Sequence, residues 1–263
     1  YSWYGSTYQK LILESICAQR CTAQFLYMFY GGTNYGSIIN PEVYTSYDYS
    51  ACIREYGFLS DRFRYTRLFN LFVSSFQGSL CQTEPADLPS IICTEPDIYY
   101  AERKSHDGTK FYFLRNFNKS RRETFEILYP SQHGIEYRSK CSLPLRPSFI
   151  AVGNHALGKN FIEICTMPII IKHKFAYGHL LVVSHNMGEL ILKGTGFELT
   201  GEGNIVVSEK MSHLSFENPG ICVLSHPVKG QLIVVCLSTD DALTLNAKFP
   251  TGLNTEDVDV AWG

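Results

Sequence analysis

Two neighbouring stretches of the 263-residue sequence combine residue types that hold a polar ligand. The first, LYMFYGGTNYG, runs from apolar and aromatic residues directly into two glycines and a Thr-Asn pair. The second, YTSYDYS, follows within a few residues and is rich in tyrosine. Because tyrosine offers an apolar ring for packing and a hydroxyl for hydrogen bonding, these stretches are candidates for a binding site.

Other residues in these stretches are expected to support the loop. Gly31 and Gly32 let the backbone turn sharply and approach a ligand closely. Thr33 and Asn34 are expected to hydrogen-bond to the loop backbone, as these residue types commonly do. Asp48 lies between two tyrosines and has the chemistry of a catalytic acid, but we interpret it as a buried structural carboxylate that accepts loop N–H groups.

A helix, a strand, a long loop and a second helix are predicted to position these residues. Ser6 or Thr7 caps a helix that continues to about Gln19. The run TAQFLYMFY is almost continuously apolar, which is typical of a parallel strand covered on both faces. Ser60 is a suitable cap for the second helix, which has an apolar stripe at helical spacing and is predicted to end at Gly78.

The remainder of the chain has the pattern of an all-β domain. Short β-like runs alternate with turn signals, of which Asp107-Gly108 is a strong hairpin signal and Lys229-Gly230 a weaker one. A proline-containing segment, 78–94, reads as a linker. We therefore predict that residues 1–77 form one unit and that residues 95–263 form an antiparallel all-β domain.

Composition and motifs limit the function classes. A net charge of -2 gives no global field for nucleic acid or an anionic membrane, and we expect neither as a partner. No run approaches the roughly 20 apolar residues that span a bilayer. The nine cysteines lack zinc-site spacing, and none of the eight histidines pairs with Ser or Cys in a recognisable nucleophile motif. We predict no metal and no cofactor.

LYMFYGGTNYG, followed by YTSYDYSACIREYGFLSDRFRYTRLFNLF, resembles the end of the catalytic barrel of β-galactosidases of glycoside hydrolase family 35. The resemblance is closest to the long-chain secreted fungal branch and covers roughly residues 22–76. Tyr35 stands where that family usually has Trp or Phe. The resemblance implies an α/β plus all-β fold, in which residues 1–77 are the end of a (β/α)8 barrel and an antiparallel β-sandwich-like domain follows the linker.

The resemblance also implies a galactose pocket that Tyr27 and Tyr49 help to line. Tyr49 would donate its hydroxyl to a sugar hydroxyl, and Tyr27 would lie close to the reacting carboxylate. Retaining glycosidases use two carboxylates about 5–5.5 Å apart. The resemblance places both before residue 1, and Glu14, in the middle of the first helix, is not placed to replace either of them. Glu55 is expected to pair with a basic neighbour or with the start of the last helix. We therefore expect this chain alone to be inactive.

Two functions remain open. The first is a fragment of a retaining β-galactosidase, whose partners are galactose-containing glycans and the rest of the parent barrel. The second is a non-catalytic carbohydrate-binding or structural β domain of a degenerate glycosidase relative. The sequon at Asn118 predicts glycosylation, and the resemblance implies an extracellular or secretory-pathway location, although no signal peptide is visible.

Overall fold

The computed structural model describes residues 6–34, 44–116, 123–130, 136–143, 148–248 and 259–262. Over these residues the chain is mostly antiparallel β-sheet with few helices, in agreement with the all-β prediction for the later part of the sequence. The helices are α1 (Ser6–Ala18), α2 (Asp61–Leu80) and α3 (Thr239–Thr244). None of the helices formed by the described residues is long and apolar enough to cross a membrane.

The strands form two large sheets and three small ones. They are, in chain order, β1 (Gly32–Thr33), β2 (Ser46–Tyr47), β3 (Thr83–Pro85), β4 (Ile92–Cys93), β5 (Ile98–Ser105), β6 (Lys110–Asn116), β7 (Glu123–Pro130), β8 (Glu136–Leu143), β9 (Ser148–Leu157), β10 (Asn160–Cys165), β11 (Ile169–Phe175), β12 (Gly178–Ser184), β13 (Glu189–Lys193), β14 (Glu198–Gly201), β15 (Asn204–Ser208), β16 (Met211–Ser215), β17 (Gly220–His226), β18 (Gly230–Leu237), β19 (Asn246–Lys248) and β20 (Asp259–Ala261).

The eight-stranded sheet has the order β15-β16-β13-β10-β9-β6-β5-β3, and the five-stranded sheet has the order β11-β12-β18-β17-β14. The small sheets are β4-β7-β8, β1-β2 and β19-β20. The pair β12–β18 is parallel, whereas the other strand ladders of the described residues are antiparallel. The hairpins predicted at Asp107-Gly108 and Lys229-Gly230 are confirmed as the β5–β6 and β17–β18 connections.

Strand β6 shows how the layers are held together, because it is buried on both faces. Phe111 and Phe113 point into the main core, which they share with Leu232 and Val234 of the five-stranded sheet. The alternate residues of β6 belong to a second core, against the three-stranded sheet. Side chains alternate between faces along a strand, so the nearly continuous apolar run of β6 fills both cores.

Helices α1 and α2 pack on the two large sheets, which together we call the sandwich, and contribute side chains to the main core. Leu13 of α1 and Phe72 and Phe76 of α2 lie in the same buried cluster as Phe111 of β6. Both helices were predicted, but α2 continues two residues beyond Gly78 to Leu80. Ser60 does precede α2, although its side chain donates to two loop carbonyls and makes no cap hydrogen bond to the helix.

The predicted parallel strand at TAQFLYMFY is not formed. Tyr30 makes a single parallel bridge to Ile53, and the preceding residues have no regular secondary structure. Phe25 is 93% exposed and Tyr27 is 77% exposed, whereas an inner strand would bury both. A parallel strand of this composition needs strands on both sides and apolar cover on both faces. In the described part of the chain, the bridge from Tyr30 to Ile53 is the only strand-like pairing that this segment makes.

The predicted linker, 78–94, takes part in the sheets. It carries β3, which pairs with β5, and β4, which pairs with β7. Between them, Ile91 is 1% exposed and packs in the second core. The division of the chain into domains at this segment stays a prediction. The glycosylation site predicted at Asn118 lies outside the described residues.

Asp107 joins the end of α2 to the β5–β6 turn and is expected to make the fold acid-sensitive. Burial alone would raise the pKa of its carboxyl, but hydrogen bonds from Ser79 Oγ (2.6 Å) and the Thr109 N–H (2.9 Å) lower the pKa from 3.8 to about 2. A lowered carboxyl pKa stabilises the fold above pH 3.8, and this contribution is lost as the pH falls through 2.

We therefore expect wild type to lose about 1 kcal/mol more unfolding free energy than Asp107→Asn over this pH range, a value reduced for the exposure of the carboxyl. Urea unfolding at several pH values measures the difference. Asp87→Asn, at an exposed loop position, is the matched control and should follow wild type. Parallel pH profiles for wild type and Asp107→Asn would contradict the prediction.

Candidate functional site

Three tyrosines from the two sequence stretches meet in a cluster that we call the tyrosine rim, Tyr27, Tyr47 and Tyr49. The Tyr27 and Tyr47 hydroxyls are hydrogen-bonded, and their rings lie 6.4 Å apart. The rings of Tyr47 and Tyr49 lie 4.9 Å apart at an angle of 86°. The structure thus brings the two predicted tyrosines together through Tyr47, which the sequence analysis did not select although it lies in the YTSYDYS stretch.

The Tyr27 hydroxyl of the rim remains protonated at neutral pH. Two effects raise the pKa of the Tyr27 hydroxyl above its ordinary value of 10.0. The hydrogen bond to Tyr47 is the larger one, and desolvation is the next. A neutral phenol both donates and accepts hydrogen bonds. Tyr27 is 77% exposed and Tyr49 is 38% exposed, so an incoming ligand can contact both rings.

The rim is positioned by a small antiparallel pair and a neighbouring loop. Strands β1 and β2 place Gly32 opposite Tyr47 and Thr33 opposite Ser46. The Gly31 N–H donates to the carbonyl oxygen of Ile53 at 2.8 Å, and the Ile53 N–H donates to the Phe29 carbonyl oxygen at 2.8 Å. Backbone hydrogen bonds therefore connect the segment of Tyr27 to the loop that follows Tyr49.

Asp48 lies directly against Gly31. Its Oδ2 is 2.7 Å from Nε of Arg54, whereas its buried Oδ1 has no hydrogen-bond partner among the described residues. A Cβ atom on Gly31 would lie 2.5 Å from Oδ1 and 2.6 Å from the Asp48 Cα. Asp48 is thus a mostly buried carboxylate, as predicted, but in the described part of the chain it forms an ion pair with Arg54 and does not accept hydrogen bonds from loop N–H groups.

The remaining loop residues hold β1 and β2 in register. Asn34 donates from Nδ2 to the Tyr44 carbonyl oxygen, as predicted for a backbone-bonding residue. Thr33, by contrast, donates to the carboxylate of Glu55 and not to the backbone. Hydrogen bonds from Ser46 and from Thr33 lower the pKa of Glu55 below its ordinary value of 4.5. Glu55 therefore pairs with hydroxyls, and not with the basic neighbour or the start of the last helix that the sequence suggested.

Tyr49 and Ser50 adopt backbone conformations that cost energy. Their φ angles are 45° and 59°, in the left-handed region that residues other than glycine rarely adopt. Strained backbone conformations of this kind are common at functional sites, where the surrounding structure maintains them. No feature of the sequence signals it, because neither residue is glycine or asparagine.

The residues of the tyrosine rim lie in a part of the chain that matches a known protein family. Residues 7–72, which include the whole tyrosine rim, match Glycosyl hydrolases family 35. Over these residues the chain is similar to glycoside hydrolase family 35. The family match ends within α2, so the β-sandwich beyond it is not covered by that match.

The chain is also similar to several fungal proteins. It is 31% identical to "Probable beta-galactosidase C" of Talaromyces marneffei over 62% of this chain and 16% of the relative. It is 31% identical to the Aspergillus oryzae protein of the same name over 71% of this chain and 20% of the relative. For the Neosartorya fischeri protein the identity is 29%, over 79% and 23%. The chain therefore spans less than a quarter of the length of these relatives.

Proposed function

We propose that residues 7–72 supply one wall of the galactose pocket of a retaining β-galactosidase, with the tyrosine rim contacting the sugar. The observation that carries the proposal is the cluster of Tyr27, Tyr47 and Tyr49, which lies within the family-35 match and presents the exposed rings of Tyr27 and Tyr49 and the protonated hydroxyl of Tyr27. Neutral hydroxyls suit sugar hydroxyls, because both groups donate and accept hydrogen bonds.

In this proposal the two catalytic carboxylates come from other parts of the barrel. Retaining hydrolysis needs one carboxyl with a raised pKa as acid/base and a second as nucleophile. The pKa of Glu55 is lowered, which is the wrong direction for an acid. Asp48 is engaged with Arg54, and Glu14 is buried beside Lys10 in α1 at 2.8 Å.

The apolar surface next to the rim is consistent with further barrel strands packing there. A groove of about 650 Å³ lies between α1, α2 and the segment that contains Phe25, Leu26 and Phe29. Phe25 is 93% exposed at its edge. Large exposed apolar surface of this kind marks an interaction site. We propose that the remainder of the barrel covers it and that Phe25–Tyr30 then becomes an inner strand.

The proposal is tested by transplanting the segment into a complete relative. The chain alone should not hydrolyse a chromogenic β-galactoside. A chimera in which residues 7–72 replace the matching segment of the Talaromyces marneffei protein should retain the β-galactosidase activity of that parent. A folded chimera without activity, beside an active parent, would instead support the alternative that this chain is a non-catalytic relative.

Within the active chimera, Tyr49→Phe is expected to lower kcat/KM about 5- to 10-fold. The change removes one hydroxyl and one hydrogen bond to the sugar, worth about 1 kcal/mol, and leaves the ring in place. Tyr56→Phe is the matched control, because Tyr56 is 82% exposed and lies outside the rim. Equal kcat/KM values for both variants would remove Tyr49 from the pocket.

A further inference from the structure

A serine, a histidine and a glutamate are connected in series on the edge of the eight-stranded sheet, far along the chain from the family-35 residues. Ser208 Oγ is 2.9 Å from Nε2 of His213. Nδ1 of the same imidazole is 2.9 Å from Oε2 of Glu189. No local sequence motif signals this arrangement, because its members come from three strands.

The strand register explains why the three side chains meet. His213 of β16 lies opposite Val206 of β15 and opposite Ile191 of β13. Ser208 and Glu189 are each two residues from those partners, so they lie on the same face as His213. The β15–β16 hairpin closes at the Ser208–Met211 pair, which leaves Ser208 at the start of the turn.

The hydrogen bonds select one tautomer of the imidazole. An ionised carboxylate only accepts hydrogen bonds, so Nδ1 of His213 carries the proton that Glu189 accepts. Nε2 then has a free lone pair and accepts the hydroxyl proton of Ser208. This is the arrangement in which a histidine acts as general base towards a serine and a carboxylate orients the histidine.

The surroundings bury most of the His213 side chain but leave Ser208 accessible to a ligand. The side chains of His213 and Glu189 are each only 18% exposed. The ring of Tyr137 in β8 stacks edge-on against the imidazole at 5.6 Å. Ser208 is exposed, and Val206, on the same face of β15, is 61% exposed and offers an apolar contact for a small acyl group.

We propose that Ser208 is the nucleophile of an acyl-transfer site that hydrolyses small esters, with His213 as general base and Glu189 as its positioning residue. Ser208 Oγ attacks the ester carbonyl, and its proton passes to His213 Nε2. The C–O bond to the alcohol breaks as His213 returns the proton to the leaving oxygen. Water, deprotonated by the same imidazole, then releases the carboxylic acid and regenerates the Ser208 hydroxyl.

The turn after Ser208 supplies the amide groups for the developing oxyanion. Glu209 follows the nucleophile directly, has a φ of 52° and lies outside the β15–β16 ladder. A backbone N–H immediately after the nucleophile is a common oxyanion donor in acyl-transfer enzymes. The site is distinct from the tyrosine rim, so its test does not depend on galactosidase activity.

The test is hydrolysis of 4-nitrophenyl acetate by the full chain, with mass spectrometry of the trapped acyl-enzyme. Wild type should hydrolyse the ester about 100-fold faster than Ser208→Ala, and the acetyl group should be found on Ser208. Ser225→Ala, a change in the other sheet, and His106→Gln, at an exposed turn histidine, are the controls and should retain the wild-type rate.

Two outcomes would overturn the proposal. If Ser208→Ala hydrolyses the ester at the wild-type rate while His213→Gln does not, the imidazole alone reacts and Ser208 is no nucleophile. If neither variant differs from wild type, the three residues are a structural ladder. For Glu189→Gln, the positioning role predicts a lower kcat at an unchanged KM, because the amide no longer holds the imidazole in the tautomer that accepts the Ser208 proton.

Discussion

The Phe76→Ala variant is expected to lose about 3–5 kcal/mol of unfolding free energy. Phe76 is 1% exposed, and its ring lies 5.6 Å from that of Phe111 and 5.2 Å from the imidazole of His155. Nζ of Lys172 lies 4.6 Å from the centre of the same ring. Alanine would leave a cavity where α2 meets both large sheets, and it would remove the contact that the lysine makes with the ring.

Urea unfolding followed by circular dichroism measures this loss. The matched control is Phe58→Ala, because Phe58 is 72% exposed and a surface truncation normally changes stability by no more than about 0.5 kcal/mol. A loss that small for Phe76→Ala as well would mean that α2 is not packed on the sandwich in solution.

The Gly31→Ala variant is expected to disrupt the tyrosine rim without unfolding the sandwich. The added methyl group would lie 2.5 Å from a carboxylate oxygen of Asp48 and 2.6 Å from its Cα, so the backbone itself must move. Overpacking against backbone costs about 1–3 kcal/mol. We expect the hydrogen bond from the Gly31 N–H to Ile53 to open, and β1 and β2 to separate with it.

Amide hydrogen exchange resolves this local effect. In Gly31→Ala, the amides of residues 31–34 and 51–53 should exchange about 5- to 100-fold faster, with the β6 amides unchanged. Gly32→Ala is the control, because a Cβ at that position would meet only Tyr30 Cε1, at 4.0 Å. Equal protection in the two variants would show that Asp48 does not press on residue 31.

The β-rich part of the fold follows from local sequence signals. Asp107-Gly108 and Lys229-Gly230 mark two of the hairpins, and the apolar run of β6 fits a strand buried on both faces. The amphipathic stripe of α2, which includes Phe72 and Phe76, likewise predicted a helix. In each case the residues that decide the structure lie close together in the sequence.

Structure that depends on distant partners was predicted less well. The run at Phe25–Tyr30 has the composition of an inner strand, but a strand also needs neighbours, and the described residues give Tyr30 only a bridge to Ile53. The link of Ser208 to Glu189 through His213 depends on the register of three strands, which no local pattern specifies. Tyr47 was passed over because the sequence does not show that its ring lies between those of Tyr27 and Tyr49.

The position of β18 determines the order in which the chain can complete its sandwich. This strand lies at the centre of the five-stranded sheet, with β12 parallel on one side and β17 antiparallel on the other. Until Gly230–Leu237 has left the ribosome, the β11–β12 hairpin and the β14–β17 pair have no strand to join them. The five-stranded sheet therefore cannot close before β18 has been made, and a nascent chain that ends before β18 carries an open, apolar β12 edge to which chaperones or other chains can attach.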